Sequence, residues 1–150
     1  MGKTEDKRKI IETCIAYQEK TIETLQEEME ETRKGAEEES QELDLYESHR
    51  TQLYRKRDLF AKQLHQALEQ MEAIKRIDPD MIKTKVEFGA IVITDKQNIV
   101  VATSIGKVDI EGTQYFTISP LVPFYKAMEN LKKGDSFEFR DQQYVIKEVF

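Results

Sequence analysis

Between Lys7 and Arg33 the chain holds no proline or glycine, and apolar side chains fall at Ile11, Ile15, Ile22, Leu25 and Met29 in a 4/3 spacing that Gln18 and Thr32 interrupt. A second run repeats the spacing through Leu43, Tyr46, Leu53, Phe60, Leu64, Ala67, Met71 and Ile74, interrupted by Arg50 and Arg57. Sustained 3.5-residue periodicity with charged flanks marks a coiled coil, because that repeat keeps one stripe turned toward a partner helix. The short separating segment Lys34–Leu43 predicts an antiparallel helical hairpin in which each stripe buries the other. Setting Ile11 against Ile74 puts the turn near residues 38–47 and brings Glu30 and Glu31 opposite Arg55, Lys56 and Arg57. Gly35, directly after Arg33 and Lys34, offers an alternative end for the first helix. A helix of roughly 27 residues would reach roughly 40 Å.

The pattern changes at Ile77-Asp78-Pro79-Asp80, where the residue before proline avoids helical geometry. Beyond it, Val86–Thr94, Ile99–Ala102, Thr113–Ile118, Ser136–Phe139 and Gln143–Phe150 are rich in β-branched and aromatic residues. Turn residues separate them, notably Asp95 to Asn98, Glu111-Gly112, Gly134-Asp135 and Arg140-Asp141. One helix is predicted from Pro123 to Leu131, with proline suited to its first turn. The fold class is therefore α+β: a coiled-coil hairpin over residues 1–78, then a small domain over residues 79–150. In the second domain four or five antiparallel strands curl around one helix.

Charge sharpens this picture. Formal net charge is −6 over 150 residues, with 35% charged side chains and 39% in the apolar set, lean for a single core and suited to an exposed helical half. Residues 1–78 carry 14 Lys+Arg against 19 Asp+Glu, hence −5, and residues 79–150 carry 9 against 10, hence −1. Such a chain is ill suited to direct, sequence-specific DNA binding, which needs cations to displace counterions. Cys14 is the one cysteine, which excludes an intrachain disulfide or a thiolate zinc cluster. With no apolar run of membrane length, the expectation is a cytoplasmic protein without a membrane partner.

Between Glu27 and Glu47 there are ten acidic side chains and two basic ones, an excess at the far end of the expected hairpin. Within it lie Asp44 and Glu47, separated by Leu45 and Tyr46. Two exposed carboxylates can give oxygen ligands to Mg²⁺, which prefers a few carboxylates with water and phosphate oxygens. A pair cannot hold the ion tightly alone, so no cofactor is expected on the isolated chain. It would complete a two-metal phosphodiester site begun by another protein. Asp-x-x-Glu is equally a capping-box-like helix start, in which Asp44 caps and Glu47 reaches back.

The segment Asp44-Leu45-Tyr46-Glu47 resembles the tip of the GreA/GreB transcript cleavage factors, whose pattern is G-D-L-[KS]-E-N; Leu43 stands for the glycine and Ser48 for the asparagine. The spacing from Met1 to Asp44, and from Glu47 to Ile77-Asp78, agrees with that family. Val86-Glu87-Phe88-Gly89-Ala90 is similar to its V-x-F-G-[AS] motif. Pro123-Phe124-Tyr125-Lys126-Ala127-Met128 with Lys132-Lys133-Gly134-Asp135 is similar to its S-P-[IL]-G-[RK]-A-L…K-x-x-G-D, Val122 replacing the serine and Tyr125 the glycine. Tyr144-Val145-Ile146-Lys147-Glu148-Val149 looks like its last strand.

The resemblance implies an FKBP-like domain that docks on bacterial RNA polymerase through Pro123, Phe124, Tyr125 and Lys126, and a hairpin that enters the secondary channel. It implies that Asp44 and Glu47 help place a Mg²⁺ ion shared with the polymerase active centre, where the polymerase itself cuts backtracked RNA. Pairing across the hairpin with Glu30 and Glu31 is the default reading of the basic run, and the resemblance makes Arg50, Arg55, Lys56 and Arg57 the nearest candidates for contact with nascent RNA. Rival readings are a channel-occupying inhibitor, a prolyl isomerase and a plain coiled-coil interaction arm. Nucleophilic catalysis by Cys14 with His49 or His65 is not expected, since nothing brings the groups within reach.

Overall fold

The computed structural model describes the backbone of residues 2–39 and 47–150, and the side chains of residues 2–35 and 51–150. Helix α1 runs Lys3–Glu39 and helix α2 Glu47–Lys75. Glu5 and Asp6 in the first turn of α1 complement the positive end of its dipole. Gly35 lies inside α1, so the first helix does not stop there. The arginine and lysine before it are ordinary helix formers, and no proline follows to end the run.

The remainder is strands β1 Ile91–Thr94, β2 Asn98–Val101, β3 Gly106–Ile110 and β4 Thr113–Ile118, helix α3 Pro123–Met128, then β5 Ser136–Phe139 and β6 Gln142–Val149. They form one six-stranded sheet in the order β3-β4-β2-β1-β6-β5. Two expectations are corrected here. The sheet is mixed, because β2 pairs in parallel with β4. The cause is β3, absent from the sequence reading: it turns at Glu111-Gly112 into β4, which comes to lie beside β2 running the same way. β3 opens on a glycine and buries only Val108 and Ile110, so its alternation is too short to stand out. The run Val86–Thr94 is also not one strand. At Gly89 φ is +89°, a conformation that favours glycine, and Ala90 N donates to Glu87 O at 3.0 Å. Val86 instead pairs with residues 130 and 131 through two backbone hydrogen bonds.

By contacts the chain forms two compact units, Met1–Tyr17 with Glu72–Phe150, and Gln18–Met71. The expected division after residue 78 does not coincide with this one, because the apolar stripe at both helix bases belongs to the sheet's core. In the first unit Ile10, Ile11, Cys14, Ile74 and Ile77 cluster with Ile91, Val100, Val108 and Phe150 on one face of the sheet. Val92, Ile99, Val101, Ile146 and Val149 face the other way, against Tyr125 and Met128 of α3. Neighbours in β1 and β2 thus alternate faces, as the pleat requires. In β6 the alternation is shifted: Ile93 pairs with Glu148 and Thr94 with Ile146, leaving Lys147 as a bulge. That extra residue puts Ile146 and Val149 on one face and Glu148 and Phe150 on the other.

In the second unit Gln18 is buried, and its Nε2 donates to Ala67 O at 2.9 Å and Gln70 Oε1 at 3.2 Å. Leu53 Cδ1 lies 3.8 Å from where a Cβ on Gly35 would sit. The buried Gln18 Nε2 donor, at the polar interruption of the stripe, is thus paired, as buried polar groups generally are. Thr32, the other interruption, turns its hydroxyl back to Glu28 O at 2.8 Å.

Candidate functional site

Asp44 lies outside the described residues. Glu47 is the first residue of α2 and Arg50 lies in its first turn; their side chains are outside the described set. Among the described residues no group of three or more His, Cys, Asp or Glu side chains is arranged to hold a metal.

Of the basic run on α2, Arg55 and Lys56 are exposed and Arg57 is half-buried. The Arg57 guanidinium donates to Asp58 Oδ1 at 3.0 Å and lies 5.1 Å from the Tyr54 ring, while Lys56 Nζ lies 5.8 Å from the Phe60 ring. Glu30 is paired with Arg33 on its own helix at 2.5 Å, and that bond holds its carboxyl below the usual range. No ion pair joins Glu30 or Glu31 to Arg55, Lys56 or Arg57 among the described residues. Arg33 lies three residues from Glu30 on one helix face, a spacing at which side chains meet without a partner helix.

The candidate docking residues divide in two. Pro123 and Lys126 are exposed, whereas Tyr125 is 5% exposed and belongs to the core beneath α3. The helical turn that exposes Lys126 points Tyr125 inward. Burial pushes its hydroxyl pKa above the ordinary value, helped by Glu129 and Glu87. Phe124 is half-buried and meets Phe137, Phe139 and Tyr144 edge-on at 5.2–5.6 Å between ring centres. It fastens α3 to the β5–β6 hairpin. The sequence reading missed Leu121, which is 85% exposed between Pro120 and Val122. Its turn is fixed by Leu121 N donating to Ser119 Oγ at 3.1 Å and Val122 N to Ser119 O at 3.2 Å. No signal in the sequence marked it, since its neighbour Val122, also between Pro120 and Pro123, packs against the core.

Two titratable groups are enclosed at the base of α1. Lys7 is fully buried and donates from Nζ to Met81 O at 2.8 Å. Burial first, then Lys83, lowers its pKa to about 8, against the opposing pull of Asp78 and Glu87. An enclosed amine bonded to a carbonyl fastens the start of α1 to the segment after Asp78; it is not an accessible nucleophile. Lys7 sits one step ahead of Ile11 on the same stripe, which was the sequence signal for its burial. Cys14 is buried, and desolvation pushes its thiol up to about 11, so it stays protonated at neutral pH. His65 pairs with Glu69 on the surface of α2.

The first unit also carries a cleft of about 360 Å³ between the start of α1 and the sheet, with Asp6, Asn98, Tyr115 and Glu148 among its lining. No family model matches the chain, and neither a curated protein nor a solved structure was found to be similar to it.

Proposed function

We propose that the chain is a Gre-like transcription elongation factor whose two long helices form a hairpin that enters the secondary channel of RNA polymerase and stimulates cleavage of backtracked RNA. The observation that carries this reading is the element order: helices of 37 and 29 residues, with Asp44 in the short segment between them, followed by a β-rich unit. A hairpin is supported inside the second unit. As the residue on α1 advances from Gln18 to Gly35, its neighbour on α2 retreats from Gln70 to Leu53, the order that antiparallel helices require.

Asp44 and Glu47 are the groups this chain would contribute to a Mg²⁺ ion shared with the polymerase, which supplies an activated water when bound. The FKBP-like unit docks on the polymerase through exposed Leu121, Pro123 and Lys126, with Phe124 and Tyr125 holding the helix that presents them. Arg55 and Lys56 are the basic side chains open to RNA; Arg57 would first have to leave Asp58. No helix among the described residues is long and apolar enough to cross a membrane.

The test is a transcript-shortening assay on stalled, backtracked elongation complexes. Added protein should speed removal of the RNA 3′ end, Asp44→Asn and Glu47→Gln should abolish the effect while still competing with the wild type, and Leu121→Ser should raise the concentration needed. Inhibition without shortening would replace this reading with channel occupancy, and no effect with retained folding would end both.

A further inference from the structure

The cleft of the first unit has a floor of Ile10, Ile93, Ile110 and Phe150, three of them buried and Ile93 partly so. Its rim is polar and unevenly charged. Lys9, its one cation, is bonded to Glu111. Asp6 and Glu148 then remain, and neither has an ion-pair partner among the described residues. Glu148 is half-buried, turned to this face by the bulge at Lys147. Tyr115 and Asn98 line the same space. Burial raises the Tyr115 pKa, and the Asp6 charge adds to it.

A concave apolar floor ringed by a few convergent polar groups is the ordinary form of a small-ligand site. The ligand chemistry follows from the lining. Glu148, half-buried beside apolar surface, attracts a cation more strongly than it would in open water, because the local dielectric is lower, and the exposed Asp6 adds its charge from the rim. The isoleucine floor accepts methylenes, as the stem of a snorkelling basic side chain would need. The Tyr115 and Phe150 rings offer π faces to a cation, and Asn98 with the carboxylates can accept N–H bonds. A metal ion would leave the apolar floor uncovered, and an anion would meet the carboxylates.

We propose that this cleft binds the alkylammonium or alkylguanidinium group of an organic cation, held by Asp6 and Glu148 over the Ile10–Phe150 floor. The site is independent of the polymerase reading, since none of its residues belongs to the 40–50 segment or to the turn at Leu121.

The probes are agmatine and putrescine, titrated into the full chain and followed by calorimetry and by amide NMR spectra, with succinate as the anionic control. Saturable binding with shifts centred on Ile10, Ile93, Ile110 and Glu148 is expected, and none with succinate. Asp6→Asn and Glu148→Gln should each weaken it about fivefold, the scale of one partly exposed charge pair. Circular dichroism of both variants checks that the fold is kept. A second arm uses N-acetylarginine methylamide: binding equal to agmatine assigns the site to a protein-borne basic side chain, and preference for agmatine to a free amine. Shifts spread over the whole acidic surface that vanish at about 0.15 M salt, where exposed charges are screened, would overturn the proposal. Affinity unchanged in both folded variants would do so as well.

Discussion

Lys7→Met isolates the most expensive buried charge in the first unit. The ammonium is fully enclosed, and its pKa falls from 10.5 to about 8. At about 1.4 kcal/mol for each tenfold in proton affinity, this depression corresponds to about 3 kcal/mol disfavouring the charged form in the folded chain. Below pH 8 folded and unfolded chains both hold the proton, and the folded chain bears the whole penalty. Between pH 8 and 10.5 the folded chain releases it first, so the unfolded state binds more protons and the stability from this group rises with pH. Methionine has nothing to titrate and a similar shape. It loses the bond to Met81 O, worth about 1.5–3 kcal/mol from a charged donor, so at neutral pH the two chains should be nearly equal in stability.

The informative quantity is the difference between wild type and variant as pH changes, since every other lysine and tyrosine is common to both. Denaturant unfolding followed by helix signal should show wild type gaining about 3 kcal/mol on the variant from below pH 8 to above 10.5. The Lys7 side-chain resonance should titrate near 8, higher in Lys83→Met and lower in Glu87→Gln, because Lys83 opposes the charge and Glu87 supports it. A difference that does not change with pH, or a resonance that titrates near 10.5, would refute the reasoning.

Other consequences are as direct. Ile74→Ala removes a side chain 1% exposed in the core shared by the helix bases and the sheet and should cost about 2–5 kcal/mol in denaturant unfolding. Arg140 and Asp141 close the β5–β6 hairpin at φ values of 50° and 65°, so Asp141→Gly should stabilise by about 1 kcal/mol. Cys14 should not react with a thiol reagent in the folded protein at pH 8 and should react at once in denaturant. Asp95 accepts a bond from Val145 N at 2.9 Å, which lowers its pKa. Its contribution is present above the ordinary aspartate range and lost as pH falls through the lowered value, so Asp95→Asn should flatten part of the acid limb of the stability curve.

Local pattern carried the elements that bury one face over several turns. The 4/3 stripes from Ile11 and from Leu53 appear as α1 and α2, and Thr113–Ile118 and Ser136–Phe139 appear with the expected bounds. The polar interruptions of the first stripe follow it too, since Gln18 and Thr32 are both buried. Where one residue or one short alternation decides, the pattern failed. Gly89 bends a run that reads as continuous β, and Gly106–Ile110 forms an edge strand from two inward side chains.

The sequence by itself determined that two long amphipathic helices precede a β-rich unit, because periodicity is a property of neighbours along the chain and burial rewards it wherever the partner lies. Only the tertiary structure decided that β2 and β4 run parallel, that the helix bases belong to the sheet's core, that Tyr125 is buried while Leu121 is bare, and that Asp6 and Glu148 share one cleft. Each of those facts depends on groups brought together from distant positions. Such pairings are fixed by how surfaces pack and by where a bulge flips a strand, not by the composition of any single segment.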